Sequence, residues 1–142
     1  MAKKNKDISS SNLIKVKPIT EGQKTVFETW KKGQNQFLFG CAGTGKTFVS
    51  LYLAMQDVLN LQTKYEKVIL VRSLIPTREI GFLPGDEEDK AALYQVPYQN
   101  MVKFMFEQPN EQAFNMLYDR LKNQGSLYFL STSFLRGLTF DN

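Results

Sequence analysis

The chain has 142 residues, no histidine, a formal charge of +4, and 42 % hydrophobic and 13 % aromatic residues. That length suits one compact domain and is short for two, and the apolar content is enough for a core, which excludes wholesale disorder. The missing histidine excludes Ser-His-Asp and Cys-His nucleophile systems and histidine-based metal sites, and no apolar run approaches the ~20 residues that span a bilayer.

The positive charge is concentrated at the front, where Lys3, Lys4, Lys6, Lys15 and Lys17 precede Pro18. Residues 1–17 read as a basic, flexible tail without periodicity, able to touch nucleic acid phosphates or simply to stay solvated. With no apolar run behind these charges, the segment is not a secretory signal. The lone cysteine, Cys41, cannot form an internal disulfide, which fits a reducing compartment; a cytoplasmic protein with no membrane partner is the expectation.

From Ile19 the pattern changes. Thr20, followed by Val26, Phe27 and Trp30 at helical spacing, predicts a capped helix to about Lys32 that Gly33 ends. Gln36–Phe39 reads as a short buried strand, and "GCAGTGKT", Gly40 to Thr47, follows it directly. Lys46 to about Leu61 is a helix whose apolar positions (Val49, Leu51, Leu53, Ala54, Val58) are too many for a surface helix. Lys67–Val71 is a near-continuous apolar and β-branched run, the mark of a parallel strand. A Pro- and Gly-containing loop runs from Ser73 to Gly85. Asp86, Glu87, Glu88 and Asp89 then complement the dipole of a helical region, roughly Glu87–Glu107 and Glu111–Asn123, broken by Pro97 and Pro109. Leu127–Leu130 is a third strand. Alternating strands and helices predict an α/β fold with a parallel sheet flanked by helices.

Gly-x-x-x-x-Gly-Lys-Thr is a phosphate-binding pattern with a reason for each residue type. The glycines let successive backbone N–H groups turn inward toward phosphate oxygens, so Gly40, Cys41, Ala42, Gly43, Thr44, Gly45, Lys46 and Thr47 together form the cradle. Lys46 supplies a mobile charge to the β- and γ-phosphates and is the catalytic candidate; Thr47 is the candidate Mg²⁺ ligand. The helix that starts there adds its positive end. Cys41 mainly satisfies a need for a small side chain.

Gln23, on the helix before the loop, resembles the adenine-reading glutamine of helicase-like ATPases, since a carboxamide can match the adenine edge. The stretch "VILVRSLIPTREIGFLPGDEEDK", with Arg72, Gly81–Asp86 and Lys90, is more specific. Together with "GCAGTGKT", Pro97-Tyr98 and "FLRGLT" at Phe134–Thr139, it resembles the PhoH family from about residue 19 onward. That resemblance implies a phosphate starvation-inducible type of P-loop NTPase related to superfamily 1 helicases, common in bacteria and their phages. It implies ATP and Mg²⁺ as cofactors, a RecA/helicase-like sheet over residues 18–142, and a nucleic acid partner, single-stranded RNA or DNA. By the same resemblance Gln23 goes to the base and Arg72 to the region linking nucleotide to nucleic acid. Arg136 fits either a phosphate contact or a local carbonyl cap. Tyr94, Tyr98, Phe104 and Phe106 could stack on bases, but their helical spacing fits a core.

The pattern departs from an ATPase in one respect. Such enzymes need an apolar strand ending in Asp or Asp-Glu to hold Mg²⁺ and orient water. Asp57 and Asp119 fall in helices, Asp86–Asp89 follow a loop, and Asp141 follows "GLTF" with Asn142 alone beyond it. The expectation is therefore an N-terminal part of the domain, incomplete at its C-terminus, hydrolysing ATP feebly by itself. Its partners would be a homo-oligomer or a chain supplying the missing strand. Two other readings stay open: a non-catalytic nucleotide-binding fragment, and a small P-loop kinase, against which stand Gln23 and the sparse arginines.

Overall fold

The computed structural model describes residues 7–73, 87–132 and 135, with backbone alone for 87–91. The loop Gly81–Asp86, Lys90's side chain, Arg136 and the acid-poor tail end around Asp141 lie outside the described residues. The elements in chain order are a 3-10 turn at Ser10–Asn12, α1 (Glu21–Lys31), α2 (Lys46–Leu59), β1 (Val68–Arg72), α3 (Glu87–Phe106), α4 (Glu111–Asn123) and β2 (Leu127–Ser131). β1 and β2 pair in parallel, Val68 opposite Leu127 through Arg72 opposite Ser131. The architecture is the expected α/β one, a short parallel sheet flanked by helices.

Local chemistry accounts for the helix ends. Thr20 Oγ1 accepts from the backbone N–H of Gln23 at 3.2 Å, and Asn110 Oδ1 accepts from that of Ala113 at 2.8 Å, so each satisfies a first-turn donor that the helix leaves open. Gly33 and Gly125 follow α1 and α4 with φ of 70° and 73°, the left-handed turn that closes a helix. α3 differs from expectation: it runs through Pro97. The missing proline N–H would leave the Leu93 carbonyl without a helical donor, and Leu93 lies on an exposed stretch where water can replace it.

α2 is the central element. Leu51, Tyr52, Leu53, Met55, Val58 and Leu59 are buried along it, meeting Val102, Met105 and Phe106 of α3, Phe114 and Leu121 of α4, and Val68 and Leu127 of the sheet in one core. Burial holds the Tyr118 phenol above its ordinary range, against the opposing pull of a hydrogen bond with Gln99. Among the described residues no helix is long and apolar enough to cross a membrane.

Two expectations are corrected. The front segment is not a free tail over residues 7–17. Ile8 and Leu13 are buried, Ile14 N–H donates to the Met105 carbonyl at 2.8 Å, and the Tyr52 hydroxyl donates to the Ile14 carbonyl while accepting from Val16 N–H. Two widely spaced apolar side chains escape any periodicity test, yet both join the core. Gln36–Phe39, expected as a buried strand, is no strand: it makes no ladder with β1 or β2, and Phe37 and Phe39 are 88 % and 86 % exposed. Its four residues alternate as strand residues would, with Gln36 and Leu38 turned inward. A strand exists only with a neighbour, and no described strand lies beside this one.

Candidate nucleotide site

The loop Gly40–Thr47 joins the extended segment to α2. Gly43 and Gly45 have φ of 77° and 84°, a region closed to most side chains, and Gly45 stands at the N-cap of α2. No side chain caps α2, so its first-turn N–H groups are left for an outside acceptor, with the positive end of the helix behind them. Thr44 Oγ1 donates to the Cys41 carbonyl at 3.0 Å and pins the loop across its mouth.

Lys46 folds back over this loop. Its Nζ donates to the carbonyls of Gly40 at 2.9 Å and Cys41 at 2.5 Å and approaches Thr44 Oγ1 at 3.4 Å. The cationic head therefore lies at the rim of the backbone turn, held by neutral acceptors. Cys41 is exposed and makes its contribution through its carbonyl. Thr47 is exposed in the first turn of α2.

Gln23 is brought to the same place from α1. Its Nε2 donates to the Thr44 carbonyl at 3.2 Å, and its Oε1 accepts from the Ile19 N–H at 2.8 Å. The carboxamide thus ties the chain before α1 to the loop, a role that sequence spacing could not reveal because the two are 21 residues apart. It also crowds Gly45, where an added Cβ would stand 3.3 Å from Nε2. Gly45→Ala is expected to destabilise the chain by about 1–3 kcal/mol, from the left-handed backbone and the displaced amide together, measured by urea unfolding.

Arg72 ends β1, and its guanidinium lies 5.0 Å from the Tyr94 ring centroid, a cation–π contact. It is not joined to the loop by any described bond. The aromatic side chains of α3 divide: Phe106 is buried, Tyr98 packs 5.5 Å from Phe129, and Phe104, though exposed, meets Phe48 edge-on at 5.6 Å.

A cavity of about 870 Å³ lies elsewhere among the described residues. It is a cleft between the segment Gly33–Leu38 and β1, floored by α2 and walled by α1, and none of Gly40–Thr47 lines it. Gln36 and Leu38 face this cleft while Phe37 and Phe39 are exposed, an alternation already present in the four letters of the sequence.

Residues 15–142 match the family described as PhoH-like protein. The chain is 30 % identical over 130 residues to a PhoH-like protein of Bacillus subtilis (strain 168), covering 91 % of this chain and 37 % of that protein. It is 32 % identical over 130 residues to a PhoH-like protein of Mycobacterium leprae (strain TN), covering 89 % and 34 %. Against Protein PhoH of Escherichia coli (strain K12) it is 31 % identical over 108 residues, covering 75 % and 28 %. The chain thus spans about a third of the length of these relatives. No solved structure matches.

Proposed function

The chain belongs to the PhoH-like protein family, and on that premise we propose that it binds ATP through Gly40–Thr47, as the nucleotide-binding part of a helicase-related ATPase that acts on nucleic acid. The observation that carries this reading is Lys46, whose ammonium is held at the loop rim by the carbonyls of Gly40 and Cys41. Exchanging neutral carbonyls for anionic phosphate oxygens strengthens each bond, because both partners are then charged. The uncapped first turn of α2 offers N–H groups to the same phosphates.

Mg²⁺ fits this donor set as a substrate-borne ion. Among the described residues no group of three acidic or cysteine side chains is assembled to hold a cation, so the exposed Thr47 hydroxyl would be the protein's ligand, with phosphate and water oxygens for the rest. When bound, the ion supplies charge neutralisation across the β- and γ-phosphates. Gln23 has the donor and acceptor that an adenine edge requires, and turning to the base means releasing Ile19 and Thr44. The described strands end in Arg72 and Ser131, neither of them acidic, so among the described residues no strand-end carboxylate is placed to orient water, and turnover by these 142 residues is expected to be slow. Arg72 and Arg136 are the proposed contacts to a single-stranded nucleic acid.

Calorimetric titration with ATP and GTP, and with single-stranded RNA and DNA at low and at physiological salt, tests the reading. ATP is expected to bind more tightly than GTP, and nucleic acid affinity to fall steeply with salt. Absence of nucleotide binding by the folded chain would sink it.

A further inference from the structure

Tyr52 joins three parts of the candidate site while standing well behind the phosphate loop. It lies on α2 six positions after Lys46, about 9 Å along the helix. The side chain is buried, and its ring packs beside that of Phe27 with 6.4 Å between centroids. Phe27 follows Gln23 by four residues, one turn further along the same face of α1. The Tyr52 hydroxyl reaches the segment before α1, donating to the Ile14 carbonyl at 3.1 Å and accepting from the Val16 N–H at 3.2 Å.

The segment gripped in this way leads straight to Gln23. Residues 14–19 alternate as an extended strap does: Ile14, Val16 and Pro18 are partly buried, while Lys15, Lys17 and Ile19 are exposed. Pro18 fixes its own φ and confines Lys17 to extended conformations, so Val16 to Ile19 is a stiff link of about 10 Å. At its far end the Ile19 N–H donates to Gln23 Oε1 at 2.8 Å, and Thr20 caps α1 through the Gln23 N–H. Gln23 Nε2 donates in turn to the Thr44 carbonyl of the phosphate loop. The connections form a closed circuit: α2 to strap, strap to Gln23, Gln23 to Thr44, and the loop back into α2.

We propose that Tyr52 is a positioning residue for base recognition, holding the strap and α1 where Gln23 can turn to adenine. This rests on the nucleotide reading and adds to it a residue that sets base preference from a distance. When Gln23 releases Ile19 to meet the base, the strap loses its contact at that end. The Tyr52 hydroxyl still holds Val16, so the start of α1 stays in place and the carboxamide alone moves. Without the hydroxyl the strap and the first turn of α1 are freed as well. Ordering them again lowers affinity for any ligand that uses Gln23. A ligand held by its phosphates alone does not use Gln23 and is indifferent to Tyr52.

Calorimetric titration of the 142-residue chain and of Tyr52→Phe, with ATP and with inorganic tripolyphosphate, tests this, because the second ligand has phosphates and no base. Phenylalanine keeps the ring beside Phe27 and removes only the two hydrogen bonds. Tyr52→Phe is expected to weaken ATP binding by about three- to tenfold and to leave tripolyphosphate within about twofold. Amide exchange followed by NMR is the second readout. In the unsubstituted chain ATP, and not tripolyphosphate, should speed exchange at Ile19 while Val16 stays protected. In Tyr52→Phe the Val16 amide should exchange quickly with or without nucleotide. Val16→Pro deletes the N–H that the hydroxyl accepts from and leaves the tyrosine in the core; it should reproduce the selective loss and serves if Tyr52→Phe fails to fold. Equal losses for both ligands would make Tyr52 a purely structural residue and overturn the proposal, as would undiminished ATP affinity in a folded Tyr52→Phe chain. Exchange at Ile19 that ATP leaves unchanged overturns it too, since Gln23 would then have kept its tether. If neither ligand binds the folded unsubstituted chain, the nucleotide reading itself falls and takes this one with it, an outcome distinct from the others.

Discussion

Lys46→Ala is expected to weaken ATP binding by about two to three orders of magnitude while leaving the unfolding transition nearly where it was. The affinity loss follows from charge. Each charge-assisted hydrogen bond contributes roughly 1.5–3 kcal/mol, and a lysine reaching the β- and γ-phosphates makes about two of them. A loss of some 3–4 kcal/mol corresponds to about 100–1,000-fold in the dissociation constant. The small effect on stability follows from where the ammonium lies. Its partners, the carbonyls of Gly40 and Cys41, are exposed and turn to water when the lysine is removed. AMP, which carries no β- or γ-phosphate, should bind the two proteins about equally. Calorimetry with ATP and AMP, beside urea unfolding of both proteins, distinguishes the outcomes. Loss of AMP and ATP binding together, with an early unfolding transition, would mean that Lys46 maintains the loop rather than contacts the phosphates.

The largest expected effect on stability is at Leu59. This side chain is fully buried at the last position of α2, within the cluster that joins α2 to α3, α4 and the sheet. Truncation to alanine removes its buried methyl groups and opens a void, and such changes typically cost 2–5 kcal/mol, about a third or more of the stability of a marginal domain. The urea midpoint of Leu59→Ala should fall accordingly with little change in slope. Because α2 also begins the phosphate loop, nucleotide binding should disappear with the fold and return when the variant is assayed at lower temperature or in stabilising osmolyte. Phe37→Ser is the contrast: a similarly large apolar side chain, 88 % exposed, whose replacement should change stability by no more than about 0.5 kcal/mol.

The contrast between Leu59 and Phe37 also marks where sequence reading succeeds. Both belong to segments that flank the glycine-rich loop, and the sequence predicts both segments to be buried. Leu59 belongs to a helix whose apolar density is itself evidence of deep packing, since a helix so populated has no polar face to present to water. Phe37 belongs to four residues whose burial depends on neighbours in the sheet, and nothing in the four residues says whether those neighbours are present. Gln23 shows the same limit at the site. Its helix and its cap were legible from Thr20 and the spacing of Val26, Phe27 and Trp30, but the direction of its amide depended on Thr44, which α1 meets only after folding. Ile8 and Leu13 carry no periodic signal, because their burial comes from the core they join rather than from any pattern of their own.

The sequence by itself determined the local structure: α1 and α4 through their capping side chains, α2 through its apolar density, β1 and β2 through β-branched and apolar runs, and the phosphate loop through glycines that alone tolerate its backbone. These depend on bonds between residues a few positions apart, and their chemistry is written in adjacent letters. Tertiary structure decided everything that requires a distant partner. It left Gln36–Phe39 unpaired, docked residues 7–17 on the helices, turned Gln23 onto the loop and opened the cleft between two unmatched backbone edges. A strand or a tether is completed by hydrogen bonds from elsewhere in space, and a stretch of sequence carries half of each such bond.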